Sequence, residues 1–428
     1  MALQKHNDDG FDLEEGYELK KLIGGLTYPS NLEFGPNGEI YIAEAGFTYP
    51  FIYTKARISR LEGKKLKLIG SNYNGPLIGL HYHDDGFLVT HRGVLSWVGL
   101  NGKKNDLVTD LPSFGDHHTN HIVVKDNKIY FGQGTMTNTG IVGSDNLLIF
   151  GWLANHKKAH DIPPFDVVLS GTNFESRNPF NPLKKIQTGP FLPIGTPAKK
   201  GQVIKGQLKS NGVIYRCNLD GTDLEVYAWG LRNPYALTTD AEGRIFVIVH
   251  GEDARGSRPA EAPDCLYEVK QGGWYGWPDF SAGRPLKEFM QSEDVSHEPV
   301  LQNHPVPEKP LHAFEEHGAA VSIDFSSNNS FGFVNEAFVA EYGSEAPFTT
   351  GGKFIFPGHK IVRLNMRTMV EEDFYVKTSK IPGMSDGPER PVYLKFSPDG
   401  TALYILDHGV RTLPKTGALW QITKSNGI

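Results

Sequence analysis

Short apolar runs separated by tight polar turns recur along this chain. NLEFGPNGEIYIAEAG (31–46), HIVVKDNKIYFGQG (121–134), ALTTDAEGRIFVIVHG (236–251) and YLKFSPDGTALYILDHG (393–409) share one pattern. Each sets an apolar or alternating run on either side of a turn that carries Gly or Asn. Those residues supply the positive φ that primed turns need, so each segment predicts a β-hairpin. GLHYHDDGFLVTHRG (79–93) is a weaker copy, and SIDFSSNNSFGFVNEAFVAEYG (322–343) carries an expanded turn. Further strand-like runs follow: RISRLEG, GVLSWVGLNG, GVIYRCNLDG, DCLYEVKQGG, HKIVRLNM and GALWQITK. Six such units predict an all-β, six-bladed β-propeller of four-stranded antiparallel blades. They are too many and too regular for a two-sheet sandwich. YELKKLI (17–23) predicts a strand added to the last blade, closing the ring.

Two stretches fall outside the repeat. Residues 1–15 read as a polar N-terminal tail. Residues 150–212, rich in Pro, Asn and Lys, read as a long irregular insertion between blades three and four that covers one face. The whole of 1–428 reads as a single propeller domain. Composition agrees with this, with 48 Gly, 28 Pro and 11% aromatics. A net charge of −6 argues against a general nucleic-acid surface, and no apolar run reaches the length of a membrane helix. The first residues lack the apolar core of a signal peptide, so a mature extracytoplasmic form and a cytoplasmic one both stay open. Cys217 and Cys265 make no metal or haem spacing and read as buried thiols.

In a propeller, the segment leading into each innermost strand lies at the mouth of the central channel. Ten residues back from the turn Gly or Asn stand Tyr28, His117, Asn233 and Arg390, with Arg232 beside Asn233. The second blade puts Asn74 to Pro76 near this phase, and the fifth puts His317 there. The expectation is a polar, partly cationic mouth without a carboxylate cluster, suited to an anionic ligand. GDHHTNH (115–121) would be an extended approach to a strand. Its neighbouring histidines would then face opposite ways and make a poor zinc site. His117 is the expected channel residue, His118 the reserve if the register slips, Asp116 a candidate to orient the base, and His121 structural.

GLRNPYAL (230–237), HGED (250–253) and PDCLYEVKQGGWYGWPDF (263–280) resemble the glucose/sorbosone dehydrogenase family. The likeness extends over most of the chain from residue 28 onward. The resemblance implies a soluble sugar dehydrogenase that uses pyrroloquinoline quinone (PQQ) with calcium and passes electrons to an external acceptor. It implies His117 as the general base that takes the hydroxyl proton, and Arg232 as the group stabilising charge on the quinone oxygen. Asn74, Asn233, His317, Arg390 and Lys353 would hold the cofactor. Gly251 and Glu252 would supply calcium ligands, with Asp253 and Asp264 nearby. Trp274, Tyr275 and Trp277 would pack beneath that loop. Two positions depart from the family pattern: YNGPLIG shortens the expected Gln or Glu to Asn74, and YGSEAP places Ser344 and Glu345 where a cation is usual. A calcium-dependent lactonase and a non-catalytic propeller binding carbohydrate or protein remain the alternatives.

Overall fold

The structure, a computed structural model, describes residues 3–6, 9–48, 52–148, 151–293 and 295–425. The six hairpins form, and each supplies the first two strands of one blade: Pro29–Phe34 with Ile40–Glu44, Leu77–His83 with Gly86–His91, Thr119–Lys125 with Lys128–Gln133, Pro234–Thr239 with Ile245–Val249, Ala320–Phe325 with Glu336–Glu341, and Pro391–Phe396 with Ala402–Asp407. The first strand of each blade packs against that of the next, and the sixth against the first, so the sheets form a closed ring. Apolar clusters lie between neighbouring blades. One is built on Leu88, Ile122 and Phe131 between blades two and three, another on Ile248, Ile323 and Val339 between blades four and five. Period-2 alternation lets every strand face a blade on each side, and this explains why so many strand positions are buried.

Tyr17–Leu26 is the outer strand of blade six, paired antiparallel with Gly417–Lys424. The expected closure is therefore present. The polar tail is more structured than its composition suggests. Leu3–His6 pairs with Phe11–Glu14, which pairs with Val370–Lys377 and widens blade five to six strands. Phe11 and Leu13 alternate inward and join the apolar cluster of blades five and six, which offsets the polar residues around them. Leu13 is 1% exposed. Leu13→Ala is expected to lower stability by about 2–5 kcal/mol, read by thermal or denaturant unfolding. An unchanged midpoint would make this strand pair peripheral.

The insertion also differs from its sequence reading. It leaves after Lys128–Gln133 and returns at Val213–Asn218, which are the second and third strands of one sheet. It is thus an excursion within blade three, not between blades three and four. The reason is that Val213–Asn218 is that blade's own third strand, separated from its hairpin by the intervening chain. A short hairpin, Phe174–Asn178 with Asn181–Thr188, gives the insertion local order. An apolar cluster of Leu169, Phe174, Phe191, Trp277 and Leu301 anchors it to the loops of blade four.

Candidate active site

A cavity of about 270 Å³ opens on the face carrying the segments that lead into the first strands. Tyr28, His117, Arg232, Asn233 and His317 all line it, as their phase predicted. Tyr235, Tyr342, Phe47 and Phe348 contribute aromatic surface.

Residues 114–117 form a bend, and the strand starts at Thr119. Successive side chains there do not alternate, so His117 and His118 both line the cavity, contrary to the extended reading. They face different neighbours. His118 holds the Ser113 carbonyl through Nδ1 at 3.3 Å and meets the edge of Phe47, and burial lowers its pKa to about 3. His117 lies on the Arg232–Asn233 side. A Cβ on Gly134 would run into both the His117 side chain and Asn233 Oδ1, so glycine permits their close approach. His117 Nδ1 lies 2.9 Å from the Thr135 carbonyl oxygen, an acceptor only, which requires the proton on Nδ1 and leaves the lone pair on Nε2. Burial, then the positive charges of Arg232 and Arg255, hold its pKa well below 6.5, so the ring is neutral. His121 is buried between Tyr235 and Tyr393, in a structural position.

Arg232 is fixed by residues that the sequence reading did not single out for this role. Its Nε donates to the Asn138 carbonyl at 3.1 Å, and its Nη2 donates to Asn138 Oδ1 at 2.7 Å and Asp253 Oδ2 at 2.8 Å. Asn233 accepts from Asn120 at 2.8 Å and donates to His250 Nδ1 at 3.1 Å, while His250 Nε2 donates to the Ala320 carbonyl. Asp116 bonds Arg255, Asn146 and Trp152. Its side chain therefore ties the insertion to blade four. Arg255 binds Asp145 as well and approaches Asp253 at 3.7 Å.

These pairings overturn the expectation of a cationic mouth. The lining sets two guanidinium groups, Arg232 and Arg255, against four carboxylates: Asp116, Asp253, Asp264 and Glu345. The loops that carry the cations also bring their counter-charges. Asp264 accepts the backbone N–H groups of Gly251 and Ala320, joining blades four and five. Glu345 pairs with Arg411.

Three expected cofactor residues are absent from the cavity lining. Asn74 is exposed, and only Pro76 of its segment reaches the wall. Lys353 is exposed, 3.7 Å from Glu261, whose other oxygen is 3.5 Å from His317. Arg390 turns away to the carbonyls of Tyr342, Gly343 and Ser344. Trp274, Tyr275 and Trp277 are buried and do not line the cavity. Cys217 and Cys265 are free buried thiols; burial raises both, Cys217 to about 12.

Among the described residues, no group of three or more His, Cys, Asp or Glu side chains is placed to hold a metal ion. A calcium site would therefore draw on backbone oxygens. Gly251 is pressed so closely to the carbonyls of Ala262 and Pro263 that a Cβ would strike both. Gly251, Ala262 and the Asp264 carboxylate all line the cavity. Glu252 does not. Its carbonyl accepts from Ala262 N–H, and its buried carboxyl, raised by desolvation, sits in a small void beneath.

Residues 198–346 carry the glucose/sorbosone dehydrogenase family signature. That segment contains Arg232, Asn233, His250, Gly251, Asp253, Asp264 and His317, whereas His117 lies before it. No curated protein sequence matches the chain significantly. Among solved structures, the chain is similar to the holo PQQ domain of pyranose dehydrogenase from Coprinopsis cinerea. The TM-score is 0.59 at 14% identity, covering 96% of this chain and 97% of that one. It is also similar to the calcium structure of a Trichoderma reesei carbohydrate-active enzyme of family AA12 (TM-score 0.57, 14% identity, 99% of each chain). A third is the PQQ-bound aldose sugar dehydrogenase from Streptomyces coelicolor (0.54, 14%, 96% and 99%). At such identities these likenesses establish the fold.

The donor set fits the reacting end of a planar quinone: a neutral imidazole, a fixed guanidinium and aromatic walls share one cavity. Among the described residues it offers no unpaired cation for the carboxylates that such a quinone carries.

Proposed function

We propose that the protein oxidises a sugar hydroxyl at the central cavity, with PQQ and calcium as its cofactors and an external electron acceptor as its partner. The observation that carries this reading is the convergence of neutral His117, Arg232 and Asn233 on one aromatic-walled cavity. PQQ, when bound, supplies the two-electron acceptor that the side chains themselves lack. Arg232 and Asn233 would hold it, and oxygens of the Gly251–Asp264 loop would hold calcium. His117 Nε2 takes the hydroxyl proton as the C–H bond gives up hydride, leaving the carbonyl product. Thr135 holds the Nδ1 proton throughout and so keeps that lone pair aimed away from the backbone. Asn138 and Asp253 fix Arg232 before substrate arrives, so its charge requires no reorganisation during the step.

The test is to add PQQ and Ca²⁺ to the purified protein, follow the quinone absorbance, and then supply aldoses with an artificial electron acceptor. A bound spectrum that changes on sugar addition, with acceptor reduction, is the expected result. The complete pairing of the cavity's guanidinium groups favours a second reading, a propeller that binds an uncharged sugar without oxidising it. Calorimetric sugar binding that PQQ neither enhances nor competes with would select that reading over the first.

A further inference from the structure

A second cavity, of about 290 Å³, opens between blades five and six. Tyr342, Glu345 and His408 face the central cavity, and Ala346, Arg390, Gly409 and Arg411 face this second one. The two are separate, and their charges are opposite. Lys377, Lys380, Arg390 and Arg411 line the second cavity together with one carboxylate, Glu389. Four cations less one anion leave an excess of three positive charges, where the central lining has two cations and four anions.

Two of the four cations are compensated. Lys377 lies 3.4 Å from Glu389, and Arg411 pairs with Glu345 in the dividing wall. Lys380 and Arg390 have no carboxylate partner among the described residues. The direct partners of Arg390 are neutral, carbonyl oxygens at 3.2–3.3 Å and the Tyr342 ring at 4.7 Å, and the one carboxylate that feels its charge, Glu345, is already paired with Arg411. A half-buried guanidinium held this way is poorly solvated, and an anion beside it recovers that cost. The hydroxyl-bearing residues Thr378, Ser379 and Thr412 add donors, and Phe356, Pro382 and Val410 provide apolar wall.

We infer that this pocket is an anion-binding site, distinct from the central cavity, for a small molecule carrying phosphate or carboxylate groups. The inference stands whether or not the protein oxidises sugars. It also accounts for Arg390: the cation expected at the axis serves a neighbouring site.

Titration calorimetry of the full chain at low ionic strength, with inorganic phosphate in one arm and citrate in the other, tests this. Saturable one-site binding of at least one probe is expected, and the tighter arm identifies the preferred anion. Lys380→Glu and Arg390→Gln should each weaken binding about tenfold or more, while His117→Ala leaves it unchanged. Lys380 is exposed, so its variant tests the site without disturbing packing. The proposal is overturned if neither probe saturates. It is equally overturned if Lys380→Glu binds like the wild type while His117→Ala does not.

Discussion

Replacing His117 with alanine is expected to lower kcat for sugar oxidation by about 10²–10⁴-fold, the range a positioned proton acceptor contributes. Quinone binding should be largely retained, because Arg232 and Asn233 keep their own partners in Asn138, Asp253, Asn120 and His250. His118→Ala is the matched control, since it removes a ring from the same cavity but from the Phe47 side. The pH profile separates a base from a mere wall residue. The His117 pKa lies well below 6.5, so the ring remains neutral as pH falls through the range where an ordinary histidine would charge. The wild-type rate should therefore show no acid limb near 6.5 from this group, and its loss should begin at distinctly lower pH. Steady-state kinetics across pH, with quinone loading measured separately, reads both effects. Full activity in His117→Ala would remove it as the base.

Arg255→Met is expected to be the most destabilising single change in the cavity wall, at about 3–5 kcal/mol. Arg255 pairs with Asp116 and Asp145 and lies 3.7 Å from Asp253; all but Asp253 are buried. Removing the guanidinium leaves two interior carboxylates without their counter-charge. Arg255→Lys retains the charge but not the fork that bridges both acids, and should fall between. The loss should also be localised. Asp116 and Asp145 tie the start of the blade-three insertion to blade four, so proteolysis within residues 134–212 should accelerate before the ring itself unfolds. Denaturant unfolding and limited proteolysis measure the two effects, and a loss below about 1 kcal/mol would contradict this account.

The fold was readable because the propeller repeats a local code. Segments such as FGPNGEIYI and FSPDGTALYI carry the turn and both flanking strands within a few residues, so no long-range knowledge is needed. The insertion's place was harder to read. GVIYRCN looks like any third strand, and only pairing with Lys128–Gln133 shows which hairpin it completes. At the site, phase located Tyr28, His117, Arg232, Asn233 and His317 because it fixes where a backbone sits. It failed for Arg390 because a long side chain can reach several ångströms to either side of its Cα. The carboxylate partners were missed for a related reason. Asp116 and Asp145 meet Arg255 across more than a hundred residues, and spacing carries no trace of such a contact. The RGSRP run at 255–259 held the only local hint, two arginines in an otherwise uncharged turn.

The pairing of Tyr17–Leu26 with Gly417–Lys424 has a consequence for biosynthesis. The first of these strands is synthesised long before its partner, because nearly the whole ring lies between them in sequence. Until that partner is made it carries an open ladder of N–H and C=O groups, the kind of edge on which other chains can dock. Closing the ring is then a contact of very high sequence separation, the slow kind in folding. A nascent chain stalled before residue 417 would hold five blades that can pair internally and a sixth that cannot be completed, which makes it a natural client for chaperones.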